Sequence, residues 1–316
     1  MNRNIFKSLS DWKQSKIRQP LLIRGARQVG KTFTVEVFGR ENFRNLVTLN
    51  FEERPELKRC FDSYNTEEII RKISILTGDV ITSGETLLFL DEIQECPRAI
   101  TALRYFKEKL PLLHIIGAGS LLEFALLSEN FRMPVGRVQT LFMLPLSFYE
   151  YLEATGQAAL VAFLGGVSAN QAAANHSLDE VMAEKLEKEL RSYMMLGGMP
   201  GVVHAYIDGA PMPEIKHLQN SLLLTFQRDF AKYAATVKHK YLQEVFISAP
   251  RMVGKRYKYA QVNPHIQSRE LKEALILLSH AQCLYKVCHT AANGLPLEAE
   301  MNERRFKIVF LDVGLM

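Results

Sequence analysis

The chain has 316 residues, of which 47% are hydrophobic and 23% are charged, and its formal net charge is +5. These fractions are typical of a globular protein and exclude intrinsic disorder, collagen-like repeats and coiled-coil rods. The length favours two domains. The four cysteines lack the number and spacing of a disulfide framework or a zinc knuckle. The first residues have no signal-peptide core, and no apolar stretch is long enough to cross a bilayer. We therefore expect a soluble, cytoplasmic protein that does not contact membranes.

The positive charge is concentrated in two zones. Residues 1–60 hold 13 basic and 6 acidic residues, whereas the rest of the chain has a net charge of −2. Residues 251–269 contain no acidic residue and five basic ones, which are Arg251, Lys255, Arg256, Lys258 and Arg269. Two basic zones are compatible with contact with phosphate groups. Charge alone favours the alternative, a solvated basic face.

The first half of the chain alternates between strand and helix patterns. Ile5, Leu9 and Trp12 have helical spacing and predict an opening amphipathic helix. Apolar runs then predict strands at 20–24, 46–51, 86–90, 113–116 and 138–144. Helical patterns between them include 66–76 and 99–109. This alternation predicts an α/β fold with a mainly parallel sheet that is covered on both faces.

The middle of the chain is predicted to be helical after a connector. Residues 154–178 contain no charged residue and many small ones, which is typical of a connector. A capping-box pattern at Ser177 and Glu180 begins a helix that continues to Leu196, where two glycines and Pro200 end it. A further helix is predicted from Glu214 to about Tyr233.

The last part of the chain combines helices with two strands. A helix is predicted at 241–252, and a second is capped by Ser268. Strands at 284–290 and 304–311 are joined across Asn293-Gly294. Helices followed by a two-stranded ribbon predict a winged-helix-like domain.

A phosphate-binding motif follows the first predicted strand. The motif G-x-x-x-x-G-K-[ST] is matched by Gly25, Ala26, Arg27, Gln28, Val29, Gly30, Lys31 and Thr32. Its glycines let successive backbone N–H groups face a phosphate, at the N-terminus of the helix that follows. Lys31 is predicted to reach the β- and γ-phosphates, and the Thr32 hydroxyl to coordinate Mg²⁺. The motif therefore predicts ATP and Mg²⁺ as ligands.

Two adjacent carboxylates complete the predicted site. Asp91 and Glu92 follow a strand of four apolar residues. We expect Asp91 to hold Mg²⁺, directly or through water, and Glu92 to deprotonate a water for attack on the γ-phosphate. A kinase has no need of a second carboxylate beside the metal ligand, so the pair favours hydrolysis.

Several further polar residues are candidates for the same site. Ser120, and similarly Gln94, are candidates to contact the γ-phosphate or the attacking water; a turn of small residues is the alternative for Ser120. Arg137 is a candidate to neutralise transition-state charge from a neighbouring subunit, with a plain salt bridge as the alternative. Arg27 has a phosphate, nucleic acid or a carboxylate as possible partners.

Nearly the whole chain resembles one known group of proteins. GARQVGKT, LFLDEIQ, IGAGSLLEFAL, PVGRV and LPLSFYEYL occur in that order, followed by LGGMPGVV, FQRDFAKY, VGKRYKY and FLDVGLM. This combination resembles predicted ATPases of the AAA+ superfamily from bacteria and archaea, in which an ATPase module precedes a C-terminal domain of unknown function. The resemblance implies binding of ATP and Mg²⁺ through Gly30, Lys31, Thr32 and Asp91, hydrolysis through Glu92, and a sensor role near Ser120.

The resemblance also bears on domain organisation. It implies an AAA+-like ATPase domain at 1–155, a helical connector or lid at 156–235 and a winged-helix-like domain at 236–316. Members of the group commonly continue past the D-x-G-L-[LM] stretch into a nuclease-like segment. The printed chain ends at Met316, so we expect a truncated chain or one that lacks this segment, and no nuclease activity.

Three hypotheses follow for function. The first is an ATP-driven switch or motor whose C-terminal module binds DNA through residues 251–269, interleaved with Tyr257 and Tyr259. The second is a protein-directed ATPase whose winged helix binds a partner protein. The third is a small-molecule kinase that uses the same loop. Self-association is a further expectation, because Arg137 can neutralise transition-state charge in a neighbouring subunit only if the chain associates with itself.

Overall fold

A computed structural model describes residues 3–120, 122, 136–166, 180–233 and 236–316. The described chain divides into two compact units. The first unit is Arg3–Leu144, and Pro145–Met316 belongs to the second unit. The three-part division expected from the sequence stays a prediction.

The first unit is built on a five-stranded parallel sheet. Its strands are β1 (Leu21–Arg24), β2 (Asn45–Asn50), β3 (Thr86–Asp91), β4 (His114–Gly119) and β5 (Gln139–Phe142). Their order in the sheet is β2-β3-β4-β1-β5, and every pair is parallel. Since parallel strands end at one edge, the residues that follow β1, β3 and β4 lie along the same edge.

Helices connect these strands. They are α1 (Ile5–Gln14), α2 (Lys31–Asn42), α3 (Thr66–Thr77) and α4 (Pro97–Lys109). The sequence explains the ends of α3: the Asn65 side chain accepts from the N–H groups of Glu67 and Glu68, and Gly78 ends the helix with φ 79°. An acceptor at the N-cap and a left-handed glycine after the last turn satisfy the end groups of a helix.

The core of the first unit packs α3 and α4 against β2 and β3. All six residues of β3 are buried, as expected for a central parallel strand covered on both faces. The strand–helix alternation predicted from the sequence is confirmed, and the fold is an α/β fold with a parallel sheet. The sequence pattern places the end of β4 three residues too early, because Gly117-Ala118-Gly119 resembles a turn and yet continues the strand.

The second unit begins with helices. They are α5 (Phe148–Ala154), α6 (Ala158–Gly166), α7 (Glu180–Leu196), α8 (Pro200–Ile207), α9 (Met212–Tyr233) and α10 (Thr236–Met252). Helix α6 lies within the stretch of small, uncharged residues that we interpreted as a connector, so this part of the connector is helical. Its alanines and leucines favour helix without any charged residue. Residues 167–179, with the predicted capping box at Ser177, lie outside the described part of the chain.

A buried junction joins distant segments of the second unit. Gly197 and Gly198 end α7, and Pro200 starts α8 at a position that tolerates proline. The carboxylate of Asp312 accepts from the N–H of Gly198 at 2.6 Å and from that of Gly314 at 3.0 Å. Burial raises the pKa of Asp312 to about 6, against the lowering effect of these two hydrogen bonds.

The unit closes with helix α11 (Ser268–His280) and an antiparallel ribbon of β6 (Leu284–Thr290) and β7 (Met301–Phe310). The N-cap of α11 is Gln267 and not Ser268, which is the first helical residue and makes no capping bond. The winged-helix interpretation of this helix–ribbon order stays a prediction. Among the described residues, no helix has the length and apolar character needed to cross a membrane.

Candidate functional site

The predicted phosphate loop lies at the edge of the sheet where the strands end. Strand β1 ends at Arg24, residues 25–30 form the loop, and α2 begins at Lys31. This strand–loop–helix order is the structural context that the motif requires. The first turn of α2 contains no acidic side chain, so its free N–H groups and positive dipole end are available to an anion.

Two glycines are required by the shape of the loop. A Cβ on Gly25 would lie 2.2 Å from the carbonyl oxygen of Met143, which leaves no room for a side chain. Gly30 has φ 93° as the N-cap of α2, a left-handed conformation that favours glycine. Gln28 adopts φ 62° without being glycine. The loop therefore has a tightly curved backbone.

The Lys31 side chain is turned into the loop. Its ammonium donates to the carbonyl of Gly25 at 3.0 Å and to that of Ala26 at 2.8 Å. Burial lowers the pKa of Lys31 to about 8, although the charges of Glu92 and Asp91 raise it. The charge of Arg27 also lowers this pKa, so Arg27 lies within electrostatic range of Lys31.

Thr32 and Asp91 are in direct contact. The Thr32 hydroxyl donates to Asp91 Oδ2 at 3.0 Å and lies 3.2 Å from Oδ1. Asp91 is buried, and this burial, followed by the charge of Glu92, raises the pKa of its carboxyl group to about 6. The hydrogen bond from Thr32 opposes that shift. The two predicted metal ligands thus present their oxygens to the same point.

Asn50 supports Asp91 and was missed by the sequence reasoning. Its Nδ2 donates to Asp91 Oδ2 at 3.3 Å, and its Oδ1 accepts from the N–H groups of Glu52 and Glu53. Asn50 pairs in register with Asp91 on the neighbouring strand. A polar residue that ends a strand beside the acidic pair was the signal available in the sequence.

Glu92 is held by hydrogen bonds at one oxygen. Its Oε2 accepts from Gln94 Nε2 at 2.6 Å, from the Ser120 N–H at 3.3 Å and from the Ser120 hydroxyl at 3.2 Å. Its backbone has φ 47°, which is unusual for a residue other than glycine and is common at functional sites. The structure therefore brings together three of the residues that the sequence had suggested.

The small residues of β4 make room for Gln94. A Cβ on Gly119 would lie 2.1 Å from Gln94 Oε1. Gln94 Oε1 is itself buried and has no hydrogen-bond partner among the described residues. The glycine lets the Gln94 side chain lie against β4 and reach Glu92.

Arg137 lies apart from these residues. Its Nε is 3.4 Å from Glu108 Oε1 near the end of α4. Arg137 precedes β5, whose first residue pairs with the first residue of β1, whereas the phosphate loop follows the last residue of β1. The observed ion pair is the alternative that the sequence reasoning left open for Arg137.

The fold and the phosphate loop together define the class of protein to which this architecture belongs. A parallel sheet with a G-x-x-x-x-G-K-[ST] loop after β1 and an acidic pair at the end of β3 is a P-loop nucleotide-binding architecture. Residues 17–152 match the family described as "AAA domain", and residues 187–316 match one described as "Domain of unknown function (DUF8612)". Residues 17–152 are therefore similar to an AAA domain and residues 187–316 to a domain of unknown function, in the order that the resemblance implied. No curated protein matches the sequence significantly.

Three solved structures illustrate the matches to known folds, each at low sequence identity. The Aeropyrum pernix ORC1 protein in complex with DNA is 12% identical, with 98% of this chain and 87% of that chain covered and a TM-score of 0.33. The Aeropyrum pernix ORC2 protein is 12% identical, with 90% and 88% covered and a TM-score of 0.46. The Thermotoga maritima RuvB Holliday junction branch migration motor is 16% identical, with 90% and 89% covered and a TM-score of 0.38.

Proposed function

We propose that the chain binds ATP with Mg²⁺ and hydrolyses it to ADP and phosphate, and that the cycle drives a conformational switch. The observation that carries the proposal is the convergence of the Thr32 hydroxyl and the Asp91 carboxylate, at 3.0 Å, beside the buried ammonium of Lys31. The phosphate loop and the two groups that would share a cation lie at one edge of the sheet.

The residues present fit Mg²⁺. Hydroxyl and carboxylate oxygens are the donors that this ion prefers, and it keeps several water ligands, so two protein ligands are sufficient. Asp91 is buried next to Glu92, and burial, followed by the charge of Glu92, raises the pKa of its carboxyl group to about 6. When bound, Mg²⁺ neutralises charge on the phosphate oxygens.

The chain's own groups supply the rest of phosphate binding. Lys31 donates to the Gly25 and Ala26 carbonyls, and we expect its ammonium to exchange these acceptors for β- and γ-phosphate oxygens when ATP fills the loop. The backbone N–H groups of residues 25–32 and the N-terminus of α2 stabilise the remaining negative charge.

Glu92 is our candidate for the general base. The three donors at its Oε2 fix its position, which leaves the second oxygen to accept a proton from water. Ser120 and Gln94 thus act on hydrolysis through the orientation of Glu92. A carboxylate beyond the metal ligand favours water as the acceptor over the hydroxyl of a kinase substrate.

The test is phosphate release by the purified chain with no acceptor added. We expect Lys31→Ala to lose ATP binding, and Glu92→Gln to keep ATP binding and lose turnover. Glu95→Gln is the matched control, because Glu95 is close in sequence and forms an exposed ion pair with Lys58 at 3.4 Å. Full turnover in Glu92→Gln would refute the role of Glu92, and phosphate transfer that requires an acceptor would favour the kinase hypothesis.

We further propose that the second unit contacts the phosphate backbone of DNA. Lys255, Arg256 and Lys258 are exposed, and the N–H of Tyr257 donates to the Phe306 carbonyl in β7 at 2.9 Å. This bond places the basic run beside the exposed cations of β7, which are Arg304, Arg305 and Lys307. Among the described residues, no ion pair engages these six cations.

Tyr257 in this run has a different role from the one we expected. Tyr257 is buried and stacks on Phe306, with ring centroids 5.3 Å apart, so it is part of the core and unavailable to stack on a base. The outer end of the ribbon carries Glu298, Glu300 and Glu303, which repel phosphate. Contact is therefore expected at the base of the ribbon, through charge and without base recognition.

Salt dependence of DNA binding tests this second proposal. The triple variant Lys255→Gln, Arg256→Gln, Lys258→Gln should bind DNA more weakly, and its salt slope should be shallower by about 0.9 for each phosphate that is no longer neutralised. Arg269→Gln is the control from the same run, since Arg269 lies 3.5 Å from Glu273. Absence of DNA binding at low salt would overturn the proposal, and capture of a protein by the ATP-loaded chain would then support the protein-directed hypothesis.

We also propose that Arg137 neutralises transition-state charge in a neighbouring subunit, a role that requires the chain to associate with itself. If Arg137 acts in trans, turnover per chain rises with protein concentration, and Arg137→Ala removes that rise. Glu108→Ala is the control, because it breaks the observed 3.4 Å ion pair without removing the arginine. Turnover that is independent of concentration would contradict the role.

A further inference from the structure

Arg3 is buried near the phosphate loop. Only 8% of the residue is exposed, although arginine is rarely buried without polar partners. Its Nη1 donates to the carbonyl of Val29 at 3.0 Å, and its Nη2 donates to the carbonyl of Leu144 at 2.5 Å. A guanidinium is planar and presents its N–H groups in a fixed fork, so the two carbonyls are held at a fixed spacing.

The first of these carbonyls belongs to the loop. Val29 precedes Gly30, and the peptide unit that joins them is planar, with its C=O and N–H pointing in opposite directions. Fixing the Val29 carbonyl therefore fixes the direction of the Gly30 N–H, one of the donors that the loop presents to phosphate.

The second carbonyl belongs to residues 143–146. In this subsection we call this segment the connector; it is distinct from the helical connector predicted at 156–235. Leu144 is the last residue of the first unit. The N–H of Met143 donates to the Arg24 carbonyl at 2.7 Å, and the Met143 carbonyl oxygen lies 2.2 Å from the position that a Cβ of Gly25 would take. The two ends of the loop are thus linked to the connector, one through the hydrogen bond to Arg24 and the other through Arg3.

The connector is also held within the second unit. The N–H of Leu146 donates to the Gly198 carbonyl at 2.7 Å, and the Leu146 carbonyl accepts from the Tyr193 hydroxyl at 2.7 Å. Pro145 links this residue to Leu144 and restricts the backbone between them. Leu146 is thus fixed by two hydrogen bonds within its own unit.

We propose that Arg3 is a positioning residue that ties the phosphate loop to the connector, so that nucleotide in the loop changes the restraint on residues 143–146. The proposal rests on the proposed function, because it requires that the loop binds nucleotide. One buried side chain, that of Arg3, would then pass the effect of nucleotide binding from the phosphate loop to the connector.

The test measures backbone hydrogen exchange of the connector in the full chain, with and without MgADP. In the wild-type chain, MgADP should change the exchange of the Met143, Leu144 and Leu146 amides. In Arg3→Gln that response should disappear, and MgADP affinity should fall about tenfold, as expected for loss of hydrogen bonds from a charged donor.

Arg18→Gln is the matched control. Arg18 also donates to backbone carbonyls, at Pro111 and Leu112, and neither of these belongs to the loop or the connector. We expect this variant to keep the full connector response. If circular dichroism shows that Arg3→Gln does not fold, Arg3→Lys replaces it, with the same loss expected because one ammonium cannot hold two carbonyls at a fixed spacing.

The outcomes separate the two proposals. If the wild-type chain does not bind MgADP, the proposed function fails. If it binds MgADP but the connector does not respond, or if Arg3→Gln responds as the wild type does, the role of Arg3 is refuted and the proposed function stands. An equal loss in Arg18→Gln also refutes the role of Arg3.

Discussion

Ser120 contacts a single oxygen of Glu92 twice, through its N–H at 3.3 Å and its hydroxyl at 3.2 Å. One residue at the end of β4 therefore fixes the side chain of a residue that follows β3, and adjacent strands of the sheet are coupled at the site. The backbone donor is independent of the side chain, whereas the hydroxyl can be removed by substitution.

Ser120→Ala is expected to slow hydrolysis with little change in ATP affinity. It removes the hydroxyl donor and leaves Glu92 held by Gln94 and the Ser120 N–H, so the loss should be about tenfold in kcat, the scale of one hydrogen bond to a charged group. Steady-state phosphate release gives kcat and KM separately. Ser10→Ala is the control, since its hydroxyl donates within α1. An unchanged kcat in Ser120→Ala would contradict the orienting role.

Asn50→Ala is expected to weaken the response to Mg²⁺. The variant removes a donor to Asp91 Oδ2 and an acceptor for two backbone N–H groups. Loss of a group that orients a metal ligand typically costs about 10- to 100-fold in metal affinity. The measurement is the Mg²⁺ concentration that gives half-maximal turnover.

Asn45→Ala is the control for Asn50. Asn45 begins the same strand and its side chain donates to the Val80 carbonyl, at the opposite end of β2 from the site. An equal shift of the Mg²⁺ midpoint in both variants would show a general effect on β2.

Acid is expected to destabilise the first unit through His114. Burial, followed by the charge of Arg18, lowers the pKa of His114 to about 4. Its ring packs edge-on against Trp12 and Phe43, and its buried Nδ1 has no hydrogen-bond partner in the described chain. The unfolded state therefore binds a proton at a higher pH than the folded state does.

The contribution of His114 to stability is fully present above the ordinary histidine pKa of about 6.5 and is lost as the pH falls toward 4. Between pH 7 and pH 5, the free energy of unfolding should fall by about 2 kcal/mol from this group. Urea unfolding monitored through Trp12, the chain's single tryptophan, gives this value. His114→Phe should remove most of the fall, and the same fall in that variant would exclude His114 as its cause.

Gly198→Ala is expected to destabilise the second unit. A Cβ at this position would lie 2.0 Å from the carbonyl oxygen of Leu146, so the backbone has to move. Overpacking of this kind costs about 1–3 kcal/mol. Gly201→Ala is a matched control within α8, where a Cβ meets no atom within 4 Å, and it should raise stability by about 0.5–1 kcal/mol. Thermal unfolding compares the two variants, and equal Tm values would show that the junction tolerates a side chain.

Much of the first unit could be predicted from the sequence because its signals are local. An apolar run, a glycine-rich loop and a helix pattern occupy consecutive residues at 21–42, and Asp91-Glu92 directly follows a buried strand. The strand order was beyond these signals, since it depends on pairing between segments such as β1 and β4 that are far apart in sequence.

The supporting residues of the site were harder to predict for the same reason. Asn50 and Arg3 carry no motif of their own, and their role appears only when register and burial place them beside Asp91 and Val29. Tyr257 shows the opposite error, because a tyrosine between Arg256 and Lys258 suggested an exposed binding surface and the fold buries it against Phe306.

The hydrogen bond between Asp312 and Gly198 joins residues 114 positions apart. During synthesis, helices α7 and α8 leave the ribosome long before the carboxylate that accepts from the Gly198 N–H. The Gly198 N–H in the turn between these helices therefore has no Asp312 carboxylate to bind until residue 312 has been added to the chain. The second unit can complete this junction only once residue 312 is part of the chain.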